Sequence, residues 1–523
     1  MIRMGWITQA RGEGTQVDAP QGTIRSYAPA TGELLGEVPV MDAERVRDAV
    51  ARARRAQEAW ALLPIEERCE RIRRFRDEIV RRADEVVELI ARECGKPKAE
   101  ALTHEVFITA DLATWYAREA PRILAPRELD LHLLKHRRAE VLYAPRGVVG
   151  IISPWNFPFV IPMGDVLAAL VAGNGVVLKP SEVTPLIALK AKELYDAAGL
   201  PDDLFSVVTG DGKTGAALID AGVDKVVFTG GVETGRKVAA ACGERLIEAT
   251  MELGGKAPVI VCDDADLERA ARAVVFGGFA NSGQVCIGVE RVYAQGGIYD
   301  RLVERVVALT RELRQGDPLG DVDLGAIIFP PQIDNATRLI EDAVSRGAQL
   351  RCGGGRPDRE GQFFEPTVLT GCGHDMAVMR EEIFGPIVPI MRVTDDEEAI
   401  ALANDSHLGL AAYVFSADRE RARAIAERVR AGMVLVNDVV IGYAVSEAPF
   451  GGVKASGYGK IHGAESLRGM CEAKHLGTER IPMPARDPFW FPYQPAMVSG
   501  MRRALRAVYA RGTLGERLGR LFG

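Results

Sequence analysis

The sequence contains no long hydrophobic run, no metal-ligand spacing and no excess of positive charge. Its most apolar region, around Gly147–Pro162, is broken by Pro154 and Pro158. No stretch therefore reaches the ~18 consecutive apolar residues that a membrane-spanning helix needs. The N-terminal residues MIRMGWITQARGEG hold no apolar signal-type run, which points to the cytoplasm. The eight cysteines, at 69, 94, 242, 262, 286, 352, 372 and 471, form no C-x-x-C pair and no zinc-like spacing with the seven histidines. Neither a disulfide framework nor a metal site is expected, and most of these thiols should be buried. A formal net charge of −7 argues against nucleic acid as a partner, because that binding needs dense Lys/Arg. No repeat of about 20–50 residues is present, which excludes a solenoid.

What is present is apolar content in quantity. The chain has 523 residues, 47% of them apolar, and single cores stop growing near ~250–300 residues, so two or more domains are expected. Val46, Val50, Ala53 and Trp60 recur at the helical period, and helical patterning continues to about residue 120. LDLHLL (129–134) and AEVLYAP (139–145) read as a strand pair. From Gly147 onward, unalternating Val/Ile-rich runs such as GVVGIIS and GVVLKPS alternate with helical stretches. Such runs belong to strands buried on both faces, hence to a parallel α/β sheet. A second alternating region spans about Ala257 to Asn437.

The end of the chain differs. Residues 486–523 carry seven Arg against one Asp and one Glu, open on PFWFPY (488–493), and place Met497, Met501, Leu505 and Val508 on one helical face beside Arg502, Arg503 and Arg506. This is a basic amphipathic extension. One reading docks it on its own or a neighbouring subunit. Another makes it a reversible membrane-surface anchor, and the aromatic cluster could also cover an active-site mouth.

Three segments carry chemistry. Cys286 stands in NSGQVCIG, where Gly283 and small neighbours let backbone approach closely. A lone cysteine is more often a small buried hydrophobe. Glu252 in MELGGK (251–256) sits in apolar, glycine-rich surroundings, where a carboxylate gains a raised pKa and can act as a base. The alternative is a salt bridge to Lys256. Asn156 lies in ISPWNFPF (152–159), a proline-stiffened loop after a buried strand. Its amide suits an oxyanion, or else merely caps the loop as an Asx-turn.

Together these segments resemble the NAD(P)-dependent aldehyde dehydrogenase superfamily. PWNFP (154–158), KPSE (179–182), FTGGVETG (228–235), MELGGK (251–256), GQVC (283–286), EEIFGP (381–386) and PFGGVKASGYG (449–459) occur in the family's order. The resemblance covers roughly residues 25–480. It implies an α/β fold of two open-sheet domains, one for the cofactor and one catalytic, with a small β oligomerisation element and a C-terminal extension. The implied boundaries are 1–124 and 147–255 for the NAD-binding domain, 125–146 and 470–485 for the oligomerisation element, 256–445 for the catalytic domain, 446–469 for a return to the cofactor domain, and 486–523 for the tail.

The resemblance also implies roles. Cys286 is the expected nucleophile, Glu252 the base that hydrolyses a thioester, and Asn156 the oxyanion donor alongside the Cys286 N–H. Ser153, Trp155, Lys179, Ser181, Glu182, Gly230, Gly231, Gly235, Leu253, Glu382 and Phe384 are expected at the dinucleotide. Phe159, Val160, Met163, Val285, Ile287 and Phe450 are expected at the acyl pocket. Glu182 favours NAD, with NADP as the alternative, because a carboxylate repels a 2′-phosphate. Glu252 favours hydrolysis over transfer to coenzyme A. No Arg neighbours Cys286, which leans toward a hydrophobic aliphatic or aromatic aldehyde. A semialdehyde dehydrogenase and a catalytically silent binding protein are the alternatives. The implied assembly is a homodimer or homotetramer. The chain departs from the family at Gly231, where a Ser is common, and at Lys460-Ile461-His462, where an Arg-Glu pair is frequent. The first predicts weaker pyrophosphate holding, the second altered local packing.

Overall fold

The computed structural model describes residues 17–18, 22–483, 485–487, 489–513, 515, 517 and 519. The N-terminal segment behind the compartment expectation lies outside them, as do Pro488 and the last residues of the tail. The chain divides into two compact units, Met1–Ala125 with Tyr143–Glu472 and Pro126–Leu142 with Ala473–Gly523.

In the larger unit, helix α1 (Ala43–Ala61) begins at Asp42, whose carboxylate accepts from the amides of Glu44 and Arg45, a side-chain N-cap. It buries Val46, Val50, Ala53 and Trp60, the face expected from the 3.6-residue period. Five parallel strands follow: β1 (Val148–Ile152), β2 (Gly175–Lys179), β3 (Phe205–Val207), β4 (Lys225–Thr229) and β5 (Glu248–Glu252). Helix α2 (Val160–Ala172) links β1 to β2, and helix α3 (Val232–Glu244) links β4 to β5. Every residue of β1 and β2 is buried, as unalternating strands require.

The sheet order is Gly457–Tyr458, β5, β4, β1, β2, β3, with the short Gly457–Tyr458 segment antiparallel to β5. The order reverses at β1. At such a switch the loops after neighbouring strands part and leave a crevice at the carboxyl ends. The loop after β1 carries Ser153–Phe159, β4 ends at Thr229 before Gly230 and Gly231, and β5 ends at Glu252.

A second sheet contains β6 (Ala257–Val261), β7 (Val289–Gln295), β8 (Gln349–Cys352), β9 (Thr367–Thr370), β10 (Ile387–Val393), β11 (Ala411–Phe415) and β12 (Met433–Val436). Its order is β8, β9, β10, β7, β6, β11, β12, parallel except that β8 runs antiparallel to β9. Helix α4 (Leu267–Phe279), capped by Asp266 on the Arg269 amide, runs into a short 3-10 turn at Ala280–Gly283. Cys286 follows at once.

A small sheet places Arg137–Pro145 between Arg127–Glu128 and Cys471–Glu479. The expected strand at 129–134 does not form; Leu133 and Leu134 are exposed, so the alternation there marks no buried face. Helix α5 (Pro495–Tyr509) leaves Val498, Met501, Leu505 and Val508 exposed and buries Ala507 alone.

Candidate active site

The loop after β1 is clamped from a distance. Lys96 and Glu105 form a fully buried ion pair, Nζ to Oε1 2.5 Å. The other oxygen of Glu105 accepts from the amides of Phe159 and Val160 at 2.8 and 3.2 Å. Lys96 also donates to the Asn156 carbonyl at 3.0 Å. A buried charge pair is tolerated when its remaining hydrogen bonds are made, and these are made to the backbone of the loop itself. The Asn156 side chain does not cap that loop. Its Nδ2 donates to the Gln284 carbonyl at 3.0 Å, and Asn281 Nδ2 donates back to the Asn156 carbonyl at 3.0 Å. The amide at 156 is thus fixed to the segment that carries Cys286.

That segment is strained. Asn281, Ser282 and Gly283 follow one another with φ of 49°, 54° and 75°, a left-handed run that side chains other than glycine rarely enter. Glu100 holds the Asn281 amide at 2.9 Å. A Cβ on Gly283 would lie 2.1 Å from the Gly385 carbonyl, and one on Gly255 would lie 2.2 Å from the carbonyl of Cys286. Only glycine permits these approaches. Strain of this kind gathers where a fold must aim a reactive group.

Glu252, the last residue of β5, is buried, and neither carboxyl oxygen has a hydrogen-bond partner. The salt bridge to Lys256 does not form: Lys256 pairs with Glu290 at 2.8 Å and donates to the Val378 carbonyl. Burial pushes the Glu252 carboxyl well above the usual range. The Lys460 ammonium opposes that shift and the Asp165 carboxyl adds to it. Burial, with Glu382 and Glu252 nearby, pushes the Cys286 thiol up to about 12.

Two cavities meet at Cys286. The larger, about 310 Å³, is lined by Trp155, Asn156, Thr229, Gly230, Gly231, Glu252, Leu253, Glu382 and Phe384, with Phe450 also on its wall. The Trp155 and Phe384 rings sit edge to face at 5.4 Å, and Glu382 accepts from the Gly255 amide at 2.9 Å. The smaller, about 170 Å³, is lined mainly by apolar side chains, among them Phe157, Val160, Phe276, Val285, Ile287 and Ile441. Ile161, Tyr443 and Cys286 belong to both.

The chain matches the model of the aldehyde dehydrogenase family over residues 16–476. It is 39% identical over 498 residues to a 4,4'-diapolycopene aldehyde oxidase of Methylomonas, covering 95% of this chain and 93% of that one. It is 39% identical to a putative succinate-semialdehyde dehydrogenase [NADP(+)] of Mycolicibacterium smegmatis, over 86% of this chain and 88% of the other. A crystal structure of an NAD-dependent aldehyde dehydrogenase from Sinorhizobium meliloti superposes with a TM-score of 0.85 at 37% identity, covering 90% of this chain and 96% of that chain. The chain belongs to the aldehyde dehydrogenase family.

Within this aldehyde dehydrogenase, several residues expected at the site lie elsewhere. Phe159 and Met163 are fully buried and line neither cavity; α2 turns Val160 and Ile161 toward the sulfur instead. Phe450 lines the larger cavity and not the apolar one. Ser153, Lys179, Ser181 and Glu182 line neither, but gather at the ends of β1 and β2: the Ser153 amide donates to the Lys179 carbonyl at 3.1 Å, Lys179 Nζ lies 3.2 Å from Glu182, and Ser181 Oγ accepts from the Val183 amide. Gly235 is in α3, where a Cβ would lie 2.4 Å from Leu253; its part is to let the helix pack onto the residue after β5.

Motif reading also missed a polar cluster near Glu252. Asp165, His462, Tyr443, Tyr116 and Ser466 all present buried side-chain atoms without a hydrogen-bond partner. Burial pushes Asp165 up to about 8 and His462 down to about 3. His462 stacks edge-on at 4.5 Å against Tyr443. Lys460 donates to the Gly451 and Gly452 carbonyls. Of the Lys460-Ile461-His462 stretch, Lys460 favours the ionised form of Glu252.

Proposed function

We propose that the protein oxidises a hydrophobic aldehyde to the carboxylic acid through a thioester on Cys286, with NAD as hydride acceptor. The observation that carries this reading is the sulfur at the meeting of a larger cavity that holds the side chains of Asn156, Glu252 and Glu382 and a smaller, apolar one.

The larger cavity fits a dinucleotide. The Thr229 hydroxyl is buried there without a partner. Helix α3 opens at Gly231 with no side-chain cap, so its first amides are free for an anion. Trp155, Leu253, Phe384 and Glu382 would line the nicotinamide end, and Lys179 and Glu182 the adenosine end. When bound, the nicotinamide ring supplies the acceptor for hydride. Loss of the Cys286 proton to solvent gives a thiolate that adds to the aldehyde carbon, and the oxyanion that forms accepts hydrogen bonds from Asn156 Nδ2 and the Cys286 N–H. As the oxyanion collapses, the C–H bond breaks, hydride leaves and a thioester remains on the sulfur. Glu252 takes a proton from water, which attacks the thioester, releasing the acid and restoring the thiolate. Glu182 supports NAD over NADP; relatives are named for both.

The apolar cavity has no Lys or Arg on its wall; besides Cys286 its polar groups are Asp438, His104 and the Tyr443 hydroxyl, and burial pushes His104 down to about 4. A semialdehyde carboxylate would meet an acid and a neutral ring. Octanal and benzaldehyde are therefore expected to outpace succinate semialdehyde in kcat/KM, and NAD to outpace NADP. Faster turnover of the semialdehyde would remove the hydrophobic-substrate reading. Asn156→Ala is expected to lower kcat by ~10²–10³-fold with little change in KM. An equal rise in KM instead would mean that the amide binds substrate and does not stabilise the oxyanion.

Assembly through the smaller unit belongs to the same proposal. Glu472–Glu479 lies exposed along an edge strand, and an open edge is a template for pairing with a second copy. A homodimer or a homotetramer would result.

A further inference from the structure

The segment from Phe489 to Tyr509 carries a set of exposed apolar side chains. Phe489, Trp490, Phe491 and Tyr493 are 54%, 59%, 77% and 59% exposed. In α5, Val498, Met501, Leu505, Val508 and Tyr509 are exposed as well. At the helical period these five fall on one arc, and Arg502, Arg506 and Arg503 follow one another along one flank of it. The buried Ala507 sits on a small-residue flank with Ala496 and Gly500, away from Leu505. The helix thus rests on its smallest residues and turns its largest apolar ones to solvent, the reverse of what core packing favours.

Charge narrows the choice of occupant. Between Arg486 and Thr513 there is one acidic residue, Asp487, in a chain of formal net charge −7, and Asp487 lies 3.7 Å from Arg137. A second copy of the segment would offer these arginines one carboxylate, Asp487, and no other. An anionic lipid surface meets both halves of the pattern: headgroup phosphates accept from guanidinium groups, and Trp and Tyr favour the boundary between headgroups and acyl chains. The helix has 15 residues, too short to span a bilayer core of ~30 Å at ~1.5 Å per residue. It can only lie in the interface.

We propose that Phe489–Tyr509 docks reversibly on anionic lipid surfaces, with the PFWFPY aromatics and the Val498–Leu505–Val508 arc at the acyl boundary and Arg502, Arg503 and Arg506 among the phosphates. Surface docking of this kind draws on buried apolar area and electrostatic attraction together, and both are present here. The proposal does not depend on the catalytic reading, since vesicle binding needs no turnover.

The test is sedimentation of the full chain with vesicles of phosphatidylcholine alone and of phosphatidylcholine mixed with phosphatidylglycerol. The protein is expected to pellet with the anionic vesicles and to remain largely free with the neutral ones. Molar salt, where the screening length falls to ~3 Å, should release it in part. Each of Arg502→Gln, Arg503→Gln and Arg506→Gln should weaken binding about fivefold. Leu505→Asp should abolish it, with the melting temperature and the oxidation of a short water-soluble aldehyde unchanged. Failure to pellet with anionic vesicles overturns the proposal, as does undiminished binding by Leu505→Asp. If light scattering shows Leu505→Asp splitting an oligomer while no vesicle is bound, a second copy covers this face and the lipid reading falls.

Discussion

Cys286→Ala is expected to lower aldehyde oxidation by at least ~10⁴-fold, because removing a covalent nucleophile leaves only binding and oxyanion stabilisation behind. No other cysteine can stand in for it. Cys69, Cys94, Cys242, Cys262, Cys372 and Cys471 are buried, and Cys352 lies on β8 at the sheet edge. Cys286 alone among the eight lines a cavity described above. The melting temperature should hardly change, since the side chain faces open space on two sides. Measured turnover within tenfold of the parent protein would remove the assigned nucleophile. The same sulfur makes a second, non-catalytic reading available. Burial and the neighbouring Glu382 and Glu252 carboxyls hold the thiol up to about 12, and only the thiolate alkylates. Iodoacetamide should therefore label Cys286 slowly near neutrality, and the rate should climb about tenfold per pH unit toward alkaline solution. A label rate flat with pH would mean that the thiol is not held neutral.

How far the sequence reached can be seen at particular residues. Asn156 and Cys286 stand just past a buried strand and a glycine turn, and Glu252 ends a strand just before Gly254 and Gly255; such junctions announce themselves by proline, glycine and abrupt loss of Val/Ile runs. The parallel sheets were legible for the related reason that strands buried on both faces do not alternate. The wall of the apolar cavity was not. All thirteen residues of α2 are buried, so the helix has no polar stripe, and nothing in its composition tells which side faces the sulfur. Phe159 and Met163 were misplaced there and Ile161 missed. The Lys96–Glu105 pair was invisible for another reason: its meaning lies in reaching Asn156 and Phe159, 60 and 54 residues away. Glu100 and Asn281 are separated by 181 residues. No local pattern records such a contact. At 129–134 the alternation was real, but its leucines at 133 and 134 found no partner surface; a period of two marks a strand only when one face is covered.

Glu252→Gln is expected to separate the two halves of the proposed reaction, and this is where the stretch after Gly459 becomes measurable. A glutamine keeps the shape of the side chain but cannot take a proton from water. Thioester formation should survive, giving one equivalent of NADH per active site in a rapid burst, while steady-state turnover falls by ~10²–10⁴-fold. Equal loss of both phases would mean that Glu252 acts before the thioester and not after it. The pH profile carries the sign. Burial raises the Glu252 carboxyl well above the usual range, and the base works only when ionised. Steady-state turnover limited by hydrolysis should therefore rise through a limb on the alkaline side of ordinary carboxylates, and that limb should vanish in Glu252→Gln. Two neighbours move it in opposite directions. Lys460 favours the ionised form and Asp165 disfavours it. Lys460→Met should shift the limb to higher pH, and Asp165→Asn to lower pH, each leaving the burst amplitude near one. If both variants moved the limb the same way, packing rather than charge would govern the base.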